Sequence, residues 1–116
     1  MSSASDPRVV LTLDAGGTKF AFSAVQGDRE VVEAVTLPSN AHDLTLCLDT
    51  IVLGFTKVKE QAPAPPVAIS FAFPGPADYP TGIIGDLGNL PAFKGGGIAL
   101  GPMLEERFGV PVFMNN

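Results

Sequence analysis

The chain is predicted to be a single α/β domain on a mixed sheet, and three features of the sequence say so. Residues 8–37 hold three strand-like runs separated only by tight turns, the pattern of an antiparallel meander. Residues 39–61 switch to a helical period. Two further apolar runs, at 67–73 and 110–114, flank a second helical stretch, which adds helix-linked strands to the meander.

The first run, "RVVLTLD" (8–14), is rich in β-branched residues and leucine and suits a buried strand. "KFAFSAVQ" (19–26) is a second strand, joined to the first by a tight hairpin. "GDRE" (27–30) is a turn, with Gly27 and Asp28 supplying its chemistry, and "VVEAVTL" (31–37) is a third strand ended by Pro38. In 39–61, Leu44, Leu48, Ile51, Phe55 and Val58 form an amphipathic stripe that Cys47 and Val52 widen. Ser39 or Asn40 is expected to cap this helix, with Lys57 and Lys59 near its C-terminal end, where the helix dipole favours cations. "APAPP" (62–66) breaks it, and "VAISFAF" (67–73) is expected to be a strand buried on both faces.

From Pro74 to Gly97 glycines and prolines crowd around a few apolar residues, so a long functional or disordered loop is expected. "IALGPMLEERFG" (98–109) resumes helical spacing with Gly109 as its C-terminal cap, and "VPVFM" (110–114) is the last strand. The order β-β-β-α-β-loop-α-β is the ribonuclease-H-like arrangement, over 8–116, with a disordered start at 1–7.

Composition narrows the function classes. At 116 residues the chain is one domain, and 46% hydrophobic against 16% charged residues argues for a packed core. Seven basic and twelve acidic residues, with no Lys/Arg cluster, argue against nucleic acid as a partner. Cys47 is the sole cysteine, so neither an internal disulfide nor a cysteine-rich zinc site can form. "MSSASDPR" lacks the apolar core of a signal peptide, and no apolar run approaches the ~18 residues of a membrane span. A cytoplasmic chain without a membrane partner is expected.

The chemistry concentrates in "DAGGTK" (14–19). Gly16 and Gly17 allow positive φ and a close approach of backbone to an anion. Thr18 adds a hydroxyl, Lys19 a point charge for phosphate, and Asp14 a hard oxygen for Mg²⁺, directly or through water. A Gly-Gly hairpin with a solvated Asp and Lys explains the same six residues equally well. It is not a Walker A loop, since the glycine spacing is too short and a strand follows.

"LDAGGTKF", then "AISFAFPGPADYPTGII", "GNLPAFKG" and "FGVPVFMNN", in that order from about Val9 to Asn116, resemble the N-terminal lobe of the ROK family of repressors, reading frames and sugar kinases. The resemblance implies the sugar-kinase/actin-like ATPase form of the fold. It implies ATP and Mg²⁺ as cofactors, with Asp14, Gly16, Gly17, Thr18 and Lys19 facing ATP and Asp14 toward the metal. Gly75, Pro76, Asn89 and Asn116 are then expected to line a hexose or amino-hexose pocket. The family's general base is an aspartate that would follow Asn116. No residue of this chain is therefore assigned as catalytic, and the chain is expected to be an inactive N-terminal part of a kinase for glucose, N-acetylglucosamine or a similar sugar. Zinc cannot be assigned.

Other readings stay open on the sequence alone. "PGPADYPTG" can be a rigid surface loop, Asn89 a turn residue, and Asn115 and Asn116 a frayed end. His42 is expected to be solvated, Cys47 to pack in the core, and Asp78 and Asp86 to stabilise loops. The rivals are a sugar-responsive regulator lobe, disfavoured because a strand starting near residue 8 is expected to leave no space for the DNA-binding domain such members carry, a fold-only module, and a ribonuclease-H-type nuclease, whose clustered carboxylates are not visible around Asp14. A homodimer is expected, because apolar surface that a second lobe would cover lies open and "VPVFM" sits unanchored at the chain's end.

Overall fold

The structure is a computed structural model that describes residues 7–73, 77–85 and 93–115. Strands β1 (Val9–Ala15) and β2 (Lys19–Gln26) form the expected hairpin, with Asp14 opposite Ala21 and Ala15 opposite Phe20. The third strand is not the single run 31–37. The edge is formed by two short strands, β3 (Arg29–Glu30), within the expected turn, and β4 (Val35–Pro38), both paired to β2, and residues 31–34 belong to neither. Four residues, 31–34, stand opposite only Ser23 and Ala24, so the outer strand bulges. Ser23 Oγ donates to Glu30 Oε2 at 2.6 Å at the start of that bulge, and Val31 N donates to Ala24 O at 2.9 Å.

Helix α1 (Leu44–Gln61) begins later than the sequence implies. Its cap is Asp43, whose carboxylate accepts from Leu46 N at 3.0 Å, and neither Ser39 nor Asn40 fills that role. Lys59 lies in its last turn. Cys47, Ile51, Phe55 and Val58 are buried, as the stripe requires. Strand β5 (Pro66–Ala72) pairs parallel with β1, and β9 (Val112–Asn115) pairs parallel with β5. The sheet order β3-β2-β1-β5-β9, with β4 beside β2, is the ribonuclease-H-like order.

Only one face of β5 is buried, contrary to expectation: Ile69 and Phe71 are inside, while Val67 and Ala72 are exposed. The cause is that both helices cover the same face of the sheet. The Phe55 ring of α1 lies 5.8 Å from Phe71 and 6.0 Å from Phe108 of α2 (Leu100–Phe108). Phe22, Phe55, Phe71, Phe73 and Phe93 continue as a chain of tilted and edge-to-face rings through the core.

The glycine- and proline-rich stretch is not simply a loop. Its described part contains β6 (Ala77–Asp78) and β7 (Ile83–Ile84), which with β8 (Ile98–Ala99) just beyond it form a small antiparallel sheet anchored by buried Ile84. Residues 98–99 therefore belong to a strand, and α2 starts at Leu100. The small sheet docks on α2 backbone to backbone, with Gly101 N donating to Gly82 O at 3.0 Å. A Cβ on Gly82 would sit 2.7 Å from Gly101 Cα, so neither position accepts a side chain without movement. Gly109 closes α2 at φ 67° in the left-handed region, as expected.

Candidate functional site

Three parallel strands end side by side. The register sets Asp14 of β1 next to Ala72 of β5, and Ala72 next to Asn115 of β9. All three are exposed, on the face that the helices leave open. With strands about 4.8 Å apart, Asp14 and Asn115 stand roughly 10 Å from each other. In open α/β sheets, ligands bind in the crevice beyond the carboxyl ends of such strands. The chain leaves β5 there through Phe73, whose N–H donates to Asn115 O at 2.9 Å.

The β1–β2 hairpin brings Asp14, Gly16, Gly17, Thr18 and Lys19 together at the edge of this crevice, all exposed. Gly16 N donates to Lys19 O at 3.0 Å and closes the turn. Neither Gly16 nor Gly17 has a positive φ, so the expected reason for glycine is corrected. At Gly16 the reason is space, because a Cβ there would lie 3.0 Å from Lys19 O. The N–H groups of Gly17 and Thr18 make no hydrogen bond among the described residues. The Asp14 carboxylate and the Lys19 ammonium likewise have no hydrogen-bond or ion-pair partner there. A carboxylate, two open amides, a hydroxyl and a cation in six residues match what a polyphosphate with a divalent cation needs.

A metal fits this site only in a particular way. No group of three or more His, Cys, Asp or Glu is close enough to cage an ion among the described residues. One free carboxylate suits Mg²⁺, which keeps most of its waters and is otherwise held by phosphate oxygens.

Gly75, Pro76, Asn89, Asn116 and Asp86 lie outside the described residues. His42 is exposed in a turn and Cys47 is fully buried, as expected. Burial pushes the Cys47 thiol up from 9.0 to about 11. Asp78 is exposed, and its carbonyl accepts from Gly82 N at 2.8 Å and Thr81 Oγ1 at 3.2 Å, a turn-stabilising role. Two residues of the site neighbourhood escaped sequence reasoning. Tyr79 Oη donates to Phe73 O at 2.9 Å, pinning the exit of β5. Ser39, expected as a helix cap, is buried against the hairpin instead. An isolated Tyr in a turn and a Ser after Pro carry no signal that separates these roles from surface ones.

The model of the ROK family matches residues 10–116. Among solved structures, glucokinase from Parabacteroides distasonis is 58% identical over 100% of this chain and 32% of its own, with a TM-score of 0.95. The ROK hexokinase from Thermus thermophilus is 29% identical over 93% of this chain and 35% of its own, at TM-score 0.80. A ROK family glucokinase from Streptomyces griseus, solved with glucose and AMPPNP, shares the fold at 20% identity and TM-score 0.79, over 93% of this chain and 33% of its own. The chain thus spans about a third of the length of the solved structures it matches. No curated protein sequence gives a significant match.

Proposed function

The chain belongs to the ROK family, and from that premise we propose that its residues form the phosphate-side part of an ATP-dependent hexose kinase. The reaction is transfer of the γ-phosphoryl group of ATP to a hydroxyl of glucose, N-acetylglucosamine or a similar sugar. One observation carries the reading: the alignment of Asp14, Ala72 and Asn115 at the ends of three parallel strands, beside the Gly16–Lys19 turn. The 58% identity to a glucokinase supports it.

Phosphoryl transfer depends mainly on positioning and charge stabilisation. The open amides of Gly17 and Thr18, the Thr18 hydroxyl and Lys19 would hold phosphate oxygens. Asp14 would orient the waters of Mg²⁺, which when bound offsets charge on the phosphates. Gly75, Pro76, Asn89 and Asn116 are proposed for the sugar on the family pattern alone. In that pattern the proton acceptor is an aspartate directly after the second asparagine, so none of the residues here is given that role. A cytoplasmic homodimer belongs to the same proposal; no helix of the described residues is long and apolar enough to cross a membrane.

The test is a coupled assay for ADP release by the full-length protein with Mg²⁺-ATP and a panel of hexoses and amino-hexoses. Turnover in the ordinary range of roughly 1–10³ s⁻¹ with at least one sugar is expected. Sugar binding without ADP release would instead favour a regulator or a fold-only module.

A further inference from the structure

Between β4 and α1 lies a residue whose position neither capping nor core packing explains. Ser39 is only 3% exposed, yet its polar groups point at the hairpin. Its Oγ donates to Gly17 O at 2.9 Å, and its N–H donates to Thr18 O at 2.9 Å. Two successive carbonyls of the turn are thus held by one residue.

A trans peptide unit is planar, with its C=O and N–H pointing in opposite directions. Fixing the Gly17 carbonyl toward Ser39 therefore aims the Thr18 N–H away from it. Fixing the Thr18 carbonyl likewise fixes the next peptide plane, and with it the start of Lys19. The outward direction of the Thr18 amide, and the start of the Lys19 side chain with it, follows from the grip of Ser39.

The grip is itself anchored. Asn40 takes a left-handed φ of 52°, the only non-glycine residue to do so among the described residues. Asparagine tolerates that region better than most residues. Its Nδ2 donates to Thr50 Oγ1 of α1 at 2.8 Å, and Thr50 is buried. Helix capping does not compete for the Ser39 hydroxyl, because Asp43 does that work.

We infer that Ser39 is a positioning residue for nucleotide phosphate: it sets the outward aim of the Thr18 amide and the start of the Lys19 side chain, and ties the hairpin to α1 through Asn40 and Thr50. The inference rests on the phosphate-binding reading of the hairpin.

The test compares Ser39→Ala, Ser39→Thr and Lys19→Ala in the full-length protein. Affinity for AMPPNP with Mg²⁺ is read by calorimetry, turn closure by hydrogen exchange at the Gly16 amide, and KM for ATP and for hexose by assay. Ser39→Ala is expected to weaken AMPPNP and raise KM for ATP about five-fold, the size of one net hydrogen bond. KM for hexose and exchange of core amides should not move, whereas the Gly16 amide should exchange faster. Ser39→Thr, which keeps the hydroxyl, should restore binding to within about two-fold. Should Ser39→Ala not fold, Ser39→Cys keeps the shape with a weak donor and is expected to show the same split. Unchanged AMPPNP affinity in Ser39→Ala or Ser39→Cys, with Lys19→Ala impaired, overturns the role of Ser39 alone. Unchanged affinity in Lys19→Ala as well overturns the phosphate reading, and this inference with it.

Discussion

Asp14 is an exposed carboxylate near the end of a strand whose Val9, Leu11 and Leu13 build the core, so its chemistry and its stability can be separated. It has no partner among the described residues, and removing it should change stability by no more than ~0.5 kcal/mol. In the full-length protein, Asp14→Ala is expected to lower kcat by about 10²–10³-fold, the usual cost of deleting a group that stabilises charge in the transition state. Near-wild-type turnover at saturating Mg²⁺-ATP would remove Asp14 from the site. Cys47 offers the opposite case, a titratable group with no function in the site. Burial raises its pKa from 9.0 to about 11, so the unfolded chain loses the thiol proton first as pH rises. Stability should therefore fall between pH 9 and pH 11 and level off above that. Urea titrations of wild type and Cys47→Ala across this window check the sign, because the variant should lose that part of the pH dependence. Both residues could be picked out from the sequence, Asp14 by the company of two glycines, Cys47 by its place on an apolar stripe. Ser39 could not, because its role depends on a hairpin twenty residues upstream.

At the scale of elements, Gly54 shows where intrinsic preference and packing disagree. A glycine inside a helix costs about 1 kcal/mol relative to alanine, and on propensity alone Gly54→Ala should stabilise α1. The structure reverses this, since a Cβ at Gly54 would run into the Phe22 ring. Phe22 is fully buried and meets Phe55 edge-on at 5.1 Å, so it has little room to withdraw. Gly54→Ala is expected to destabilise by about 1–3 kcal/mol, the range for overpacking, as measured by chemical denaturation; a rise in stability would show that α1 can slide off β2. The same contrast marks what was legible. The hairpin and the α1 stripe are local patterns of period two and 3.6, and both emerge where expected. The break between β3 and β4 depends on how many residues β2 sets opposite them, which no local pattern encodes. Two-residue strands such as β6, β7 and β8 are too short to show a period at all. The cap of α1 was misplaced because Ser39, Asn40 and Asp43 are all capping residue types. The left-handed turn at Asn40 and the hairpin's hold on Ser39 decide between them. The hairpin residues 14–19 were readable as one contiguous motif, but the alignment of Asp14 with Asn115 needed the parallel register of β1, β5 and β9.

For the whole molecule, the arrangement is two layers rather than three. The shortest principal dimension is 21 Å, room for a sheet and one layer of helices, where a further helix layer would add roughly 10 Å. The uncovered face of the sheet carries a shallow recess lined by Val10, Val25, Val67, Ala68 and Phe113, among others. Val67 is 44% and Phe113 58% exposed. Strand β9 is not unanchored, as the sequence suggested, because it pairs with β5 along its whole length and buries Met114. It is instead the edge of the sheet, the place where another strand can add. Covering a few hundred Å² of such apolar surface contributes several kcal/mol, at about 25 cal/mol per Å². Association itself costs an estimated 4–15 kcal/mol, and a net charge of −5 on each copy adds repulsion that salt screens. The two sides nearly balance, so the 116 residues expressed alone are expected to dimerise weakly, with an affinity that improves as ionic strength rises. Phe113→Lys, which replaces an exposed apolar residue of the recess lining with a charge, should abolish this without unfolding the chain. Sedimentation velocity from micromolar to millimolar concentration, at low and high salt, reads the outcome directly. A single 12.0 kDa species throughout would mean that the open face is too small or too polar to hold a second copy.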